Sequence, residues 1–271
     1  MTSTRLKVLR YFLSGKTNVN PKDIFQFFFG LPYSIKAKSV IKKIEPDESF
    51  EKIFLKEIGL PLFYPNDISR KSLYQVIVEC FDKRNWHFYE INETRVSPQD
   101  VVVDCGAAEG LFGLLVYNRC KKVYLIEPLP KFVTSLKKTF QGCNNVEIIP
   151  CAVADAVYES KLSENGIASV VSNTGNGISI NVTTLDDLFF EKNIPVTYLK
   201  LDLEGYDYKA LVGTKELIKK NKPKIAVTTY HLKEHAAIIE DFLKSIVPSY
   251  HILKKGIYQE TGSPVMLHAW I

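Results

Sequence analysis

The sequence predicts a doubly wound α/β fold with a mainly parallel, seven-stranded sheet over residues 97–271, preceded by a helical extension over residues 1–96. Three observations lead there. From Asp100 onward, short β-rich runs alternate with longer runs of helical periodicity. The strand runs are mostly apolar, as befits strands covered by helices on both faces. A glycine-bearing junction, Asp104–Gly110, follows the first strand, and an acid, Glu127, closes the second.

Taken in order, Val101–Cys105 is the first strand and Gly110–Arg119 a helix with Leu111, Leu114 and Leu115 on one face. Lys122–Glu127 is the second strand, stopped by Pro128 and Pro130, and Lys131–Phe140 carries Phe132, Leu136 and Phe140 at helical spacing. Val146–Pro150, Tyr198–Leu203, Lys224–Tyr230, Tyr250–Leu253 and Val265–Trp270 complete the seven. Thr184 followed by Asp187 resembles a capping box, and Thr214 precedes a helix at Lys215–Asn221. Lys233–Val247 is amphipathic through Ala236, Ile239, Phe242 and Ile246. Between the third and fourth main strands, Tyr158–Asn181 reads as turns and short strands, with Asn165-Gly166 and Thr174-Gly175-Asn176-Gly177 as turn signals. Before about Ser97 the alternation is absent. Asp47–Ile58 and Ser69–Lys83 read as helices, Leu60–Asn66 as an extended connector, and Ser97–Asp100 as the joint.

Composition removes several classes. No apolar run approaches the ~20 residues of a spanning helix, and no secretory leader is visible, so the expected location is the cytoplasm. Five cysteines without a CxxC or a Cys/His cluster disfavour a disulfide scaffold and a structural zinc site. The net charge of +5 is unevenly placed. Met1–Lys43 holds nine basic residues against Asp23 alone, whereas Val96–Ile271 holds nineteen of each sign.

The chemistry concentrates at two points. Asp104-Cys105-Gly106-Ala107-Ala108-Glu109-Gly110 is a D-x-G-x-x-x-G at a strand–helix junction, where glycines permit a tight turn and bring main-chain N–H groups to a ligand. Glu127 stands where a carboxylate accepts both hydroxyls of a ribose. Together they point to an adenosine-type cofactor. The spacing lacks the G-x-G that meets a pyrophosphate, and Gly15-Lys16-Thr17 is no P-loop, since Arg10 stands where its first glycine belongs. S-adenosylmethionine fits better: it has no phosphate, its carboxylate would meet backbone N–H groups, and its ammonium would meet Asp104 or Glu109.

D-C-G-A-A-E-G, the L-I-E-P of Leu125–Pro128 and the K-L-D-L-E-G-Y of Lys200–Tyr206 together resemble the FkbM family of S-adenosylmethionine-dependent O-methyltransferases, over roughly Tyr89–His231. Val182–Leu188 is similar to the family's stretch before its fourth strand. The resemblance implies a Rossmann-like class I methyltransferase fold. It implies cofactor contacts at Gly106, Ala107, Glu109, Gly110 and Glu127, with Ala152 and Val153 against the adenine and S-adenosylhomocysteine as product. It also implies a hydroxyl acceptor, most often on a sugar of a glycan, glycolipid or glycosylated metabolite. The chain departs from the family at Ala108, where Asn is frequent, and at Thr228–His231, where an acid is.

Lys200, Asp202 and Glu204 fall on one face by strand periodicity. Three ionisable groups on a central strand are costly unless paired or used. One reading is a Lys200–carboxylate ion pair without a role in turnover; the other places Asp202 or Glu204 near the transferred methyl. A hydroxyl gains from a general base, and His231, at the end of the fifth strand, is the candidate, with Asp202 the alternative and a divalent ion on Asp202 and Glu204 a third. His87, His235, His251 and His268 lack partners in sequence and read as structural. Trp86, Tyr89 and Glu90 stand where an acceptor mouth would open, Trp86 more as core.

Other classes fit less well. Neither the D/N-P-P-Y/F box nor a Pro-Cys after the fourth strand is present, against nucleic-acid methylation; Pro150-Cys151 follows the third. A nicotinamide oxidoreductase stays open on fold alone. Met1–Lys43 mixes its Lys and Arg with Phe25, Phe27, Phe28 and Phe29. That composition suits a helix docked on membrane lipid or an anionic glycan, a helix packing its aromatics on the domain, or a mitochondrial presequence.

Overall fold

A computed structural model describes residues 3–15, 19–163, 170–172 and 177–271 of the chain. Helices α1 (Ser3–Leu13), α2 (Pro21–Phe29) and α3 (Tyr33–Val40) come first. A three-stranded antiparallel sheet follows, β1 (Ile41–Asp47), β2 (Phe50–Leu55) and β3 (Leu62–Pro65), and then α4 (Arg70–Phe81). This corrects the helical reading of Asp47–Ile58. The run Phe50-Glu51-Lys52-Ile53-Phe54-Leu55 satisfies both periods, Phe50, Ile53 and Phe54 at helical spacing and Ile53 and Leu55 at strand spacing. Pairing with β1 on one side and β3 on the other decides for the strand. The connector expected at Leu60–Asn66 contains β3, an edge strand that tolerates Pro65 at its end.

The second part comprises β4 (Val101–Cys105), α5 (Leu111–Val116), β5 (Lys122–Ile126), α6 (Pro130–Thr139), β6 (Val146–Ile149), β7 (Ala152–Val153), β8 (Tyr158–Ser163), β9 (Val170–Ser172) and β10 (Ile178–Thr183). It continues with β11 (Tyr198–Leu201), α7 (Asp207–Val212), α8 (Lys215–Asn221), β12 (Lys224–Thr228), α9 (His235–Ile246), β13 (His251–Lys255) and β14 (Met266–Trp270). The main sheet has seven strands in the order β13-β14-β12-β11-β4-β5-β6, and β14 alone runs against its neighbours. The expected doubly wound, mainly parallel sheet is therefore present, its strands within two residues of the bounds read from sequence. Strands β8, β9 and β10 of the Tyr158–Asn181 insertion join β7, which precedes it, in a separate four-stranded sheet of order β7-β10-β8-β9. The turns read at Asn165-Gly166 and Thr174–Asn176 lie outside the described residues, as do Lys16 and Thr17. The Thr184 cap forms by half: Asp187 N–H donates to Thr184 Oγ1 at 3.0 Å, while the Asp187 carboxylate accepts from Thr183 Oγ1.

The N-terminal sheet is bound into the larger body. Phe63 N–H donates to Thr139 Oγ1 of α6 at 3.0 Å, and Ile53, Leu62 and Tyr64 share one core with Leu111, Leu114 and Leu136. The chain leaves β4 toward β5 and β6, then returns to build β11 and β12 on the other side, so the order switches between β4 and β11. In such sheets ligands bind outside the strand ends at that switch.

Candidate active site

Each strand meeting at the switch delivers side chains to one cavity of about 330 Å³. Gly106–Glu109 come from the β4 end, Glu127 from β5, Ala152 and Val153 from β7, and Lys200, Asp202 and Glu204 from β11 and the turn after it. Tyr230 follows β12. Glu79 and Cys80 of α4, with His87 and Tyr89 just beyond it, close the cavity from the N-terminal side.

The β4–α5 loop is shaped by three left-handed residues, Gly106 (φ 74°), Ala108 (φ 45°) and Gly110 (φ 87°). A Cβ at Gly106 would lie 2.1 Å from the Asp202 carbonyl oxygen, so the close approach of this loop to the β11 end requires glycine. At Gly110 a Cβ would meet Leu136 Cδ2 at 2.4 Å, which lets α5 pack against α6. Gly110 thus supports the loop from behind the cavity. Glu127 grips the same loop: Oε2 accepts from Ala108 N–H at 2.9 Å and Oε1 from Leu129 N–H at 2.8 Å. Burial pushes its carboxyl up to about 7 against those two donors. Burial likewise pushes Glu109 up to about 7, and its Oε2 has no hydrogen-bond partner among the described residues.

Asp104 does not face the cavity. It is completely buried, with Oδ1 2.9 Å from Lys200 Nζ, which also donates to the Gly106 carbonyl at 2.7 Å. The ammonium-binding role expected of Asp104 is therefore taken by this internal ion pair, and Glu109 is the acid left at the cavity wall. Burial would lower the Lys200 ammonium, but Asp104 and Asp202 outweigh it and hold the group above its ordinary value.

β11 ends at Leu201, so the common strand face expected for Lys200, Asp202 and Glu204 stops short; Glu204 sits in a turn at φ 50°. Asp202 is nonetheless the hub. Tyr89 Oη donates to its Oδ2 at 2.7 Å, and His87 Nε2 lies 3.7 Å from that oxygen. Thr228 Oγ1 stands 3.1 Å from Asp202 Oδ1 and 3.2 Å from Asp207 Oδ1, its single proton serving one at a time. Burial opposes the ionised form of Asp202, yet His87, Lys200 and His231 together hold its carboxyl below the usual range.

His231 stands behind Asp202 rather than on the cavity wall. Its Nε2 is 3.3 Å from Glu204 Oε2 and 3.8 Å from Asp202 Oδ1, and its Nδ1 is 3.6 Å from Asp207 Oδ2. Burial would lower its pKa, but the surrounding Asp207, Glu204 and Asp202 raise it to about 10. An imidazole held protonated has no lone pair to offer, so this environment favours Asp202 over His231 as the general base. Asp207 fixes the turn itself, accepting from Leu203 N–H at 3.0 Å and Gly205 N–H at 3.2 Å.

Sequence reasoning missed His87, Glu79 and Tyr230. His87 Nε2 lies 3.4 Å from Tyr230 Oη, and its Nδ1 lies 4.0 Å from Glu79 Oε2. These partners come from α4 and from beyond β12, so no spacing within the chain announces them. Of the expected mouth residues, Tyr89 reaches Asp202. Glu90 instead binds Arg119, at 2.5 Å, and Trp86 stacks on Phe27 at 5.2 Å.

Comparison with known proteins identifies the family. Residues 104–247 match the model of the methyltransferase FkbM domain. No curated protein matches the chain. The crystal structure of methyltransferase FkbM from Methylobacillus flagellatus is similar with a TM-score of 0.50 and 21% identity, over 76% of this chain and 55% of that one. The chain thus spans little more than half the length of that structure. A candidate methyltransferase from Streptococcus mutans, solved with S-adenosylhomocysteine, gives a TM-score of 0.43 at 10% identity over 65% of this chain and 90% of that one. An rRNA methylase from Streptococcus thermophilus gives 0.41 at 14% identity over 65% and 88%. The matched segment covers more than half of the chain and contains the glycine loop, Glu127, Asp202 and His231, and the chain belongs to the FkbM methyltransferase family.

Proposed function

We propose that the protein transfers the methyl group of S-adenosylmethionine to a hydroxyl on a sugar of a glycan, glycolipid or glycosylated metabolite. The observation that supports this most is the position of Asp202: an ionised carboxylate in the same cavity as Glu127, bounded by Tyr89, His87 and Tyr230. A hydroxyl acceptor must lose a proton as it is methylated, and on this reading Asp202 receives it.

The residues fit the cofactor. Glu127 offers a carboxylate to ribose hydroxyls, Ala152 and Val153 offer an apolar wall to the adenine, and Glu109 has a buried oxygen without a partner at the wall. Once bound, S-adenosylmethionine supplies an electrophilic methyl group. Methyl transfer is an in-line displacement, so alignment of the acceptor dominates the task of the protein. Tyr89 on Oδ2 and Thr228 near Oδ1 orient Asp202, and Lys200 and His231 keep it ionised. His231 acts through Asp202 as a positioning residue. The Tyr230 and Tyr258 rings, 4.8 Å apart, offer aromatic surface beside the cavity for the apolar face of a sugar.

The test is incubation with S-adenosylmethionine carrying a labelled methyl group against a panel of nucleotide sugars, glycolipids and glycans. The expected result is label in an acid-stable methyl ether on sugar. Asp202→Asn should cut turnover at least about 100-fold while S-adenosylhomocysteine affinity changes by less than about threefold. Label on nitrogen or carbon, or a wild-type rate in Asp202→Asn, would overturn the reading. Calorimetry with S-adenosylhomocysteine and with NADH separates the oxidoreductase alternative, which requires binding of NADH alone.

A further inference from the structure

We infer that the N-terminal helices form a docking face for an anionic lipid bilayer. Among the described residues no helix is long and apolar enough to cross a membrane, so the contact is peripheral. Helix α2 is held to the body by one face: Ile24 is buried with Val8 of α1 and Ile257, and Phe27 stacks on Trp86. Its other face turns outward. Phe25 and Phe29 are 65% and 73% exposed, with ring centroids 4.6 Å apart. Leu31 and Ile35 extend the same surface at 62% and 51%, and the four line an open groove of about 610 Å³ against α4.

The exposure is concentrated rather than scattered. Seven of the twelve large apolar side chains exposed among the described residues fall between Leu6 and Ile35, where isolated exposed residues would be spread over the surface. Basic groups accompany them. Lys22, Lys36 and Arg84 line the groove, the last two paired with Asp82, which lines it as well, and on α1 the exposed Arg10 lies between Leu6 and Leu13 at helical spacing. Arg10, Lys22, Lys38 and Lys42 have no ion-pair partner among the described residues. Exposed aromatic and aliphatic groups with basic residues at their edge are what an interfacial helix presents to anionic headgroups. A second copy is the poorer occupant, because it would bring two segments with nine basic residues and one acid each face to face. Ile77, Val78 and Phe81 of α4 line the groove, and Ser72, Gln75 and Glu79 of the same helix line the cofactor cavity. Docking therefore holds the cavity about one helix diameter, roughly 10 Å, from the lipid surface.

The test is co-sedimentation of the full chain with vesicles of phosphatidylserine and phosphatidylcholine, and with phosphatidylcholine alone. The wild type should pellet with the anionic vesicles and lose most of that binding in neutral vesicles or at high salt. Phe25→Glu/Phe29→Glu should lower the partition coefficient at least about tenfold with S-adenosylhomocysteine affinity unchanged. Arg10→Glu/Lys22→Glu leaves both rings in place and should give an independent loss on anionic vesicles. Equal pelleting of wild type and both variants, or no pelleting above the vesicle-free control, overturns the proposal. So does a wild-type dimer in sedimentation velocity that becomes monomeric in the phenylalanine variant without any vesicle binding.

Discussion

Lys200 and Asp104 face each other across adjacent parallel strands, Nζ to Oδ1 at 2.9 Å, with side chains 5% and 1% exposed. The ammonium also holds the Gly106 carbonyl, so one buried charge ties the β11 strand to the cofactor loop. Removing one partner of a buried pair strands the other charge away from water. Lys200→Met is expected to cost about 3–5 kcal/mol of stability. Lys43→Ala, which removes an exposed contact to Glu45, should cost under about 1 kcal/mol. Urea denaturation of both variants decides it, and a loss below about 1 kcal/mol for Lys200→Met would contradict the structural role assigned to the pair.

Gly106 and Gly142 separate two kinds of glycine requirement. Both have positive φ, 74° and 83°, but a Cβ at Gly142 meets nothing within 4 Å, whereas one at Gly106 collides with the Asp202 carbonyl. Gly142→Ala therefore measures backbone strain alone, about 1 kcal/mol. Gly106→Ala adds the collision and must push the loop off the β11 end, so it should lose clearly more stability and at least about tenfold in S-adenosylhomocysteine affinity. Equal effects of the two substitutions on both readouts would show that the close approach is unimportant.

The main sheet and the meeting of the glycine loop with Glu127 were legible because their signals are local. Apolar strands, Gly106 to Gly110 and Glu127 sit within one βαβ unit, and the structure brings Gly106, Glu109 and Glu127 to one cavity. Misreadings arose where distant partners decide. Phe50–Leu55 fits two periods until β1 and β3 pair with it. Asp104 is absorbed by Lys200 from a strand 96 positions later, and His87 becomes part of the site only when the segment after α4 is brought to Asp202 and Tyr230, beyond the ends of β11 and β12. His231 was found by its place at a strand end, yet its protonation depends on Glu204, Asp207 and Asp202 converging from one turn.

Glu127 ties the cofactor loop to a pH-dependent stability. Its two oxygens accept from Ala108 and Leu129 N–H groups, which an amide cannot do on both sides, so Glu127→Gln should weaken S-adenosylhomocysteine binding about 10- to 100-fold. With the folded-state carboxyl near 7 and the ordinary value at 4.5, the native state holds a proton that the unfolded chain releases between those values. This group's contribution to stability therefore falls as pH rises from about 4.5 to about 7. Denaturation at pH 4.5 and pH 8 should show a smaller decline in Glu127→Gln than in the wild type; an equal or steeper decline would refute the assignment.

His231 has the opposite charge type and a different window. Its folded-state pKa of about 10 lies above the ordinary 6.5, so the stability it contributes is complete below about 6.5 and is lost as pH rises toward 10. His231→Gln keeps a polar side chain but leaves Glu204, Asp202 and Asp207 without their shared cation. The variant should be less stable than the wild type by about 2 kcal/mol or more at pH 6, and the gap should close progressively between pH 7 and pH 10. Because Asp202 loses one of the charges that hold it ionised, the pH at which methyl transfer reaches half its maximum should also move upward in His231→Gln. A general base at His231 predicts something else: near-complete loss of turnover at every pH, with a stability gap that does not change. Denaturation curves and rate profiles measured over the same pH range distinguish a cation that positions Asp202 from a base that takes the proton itself.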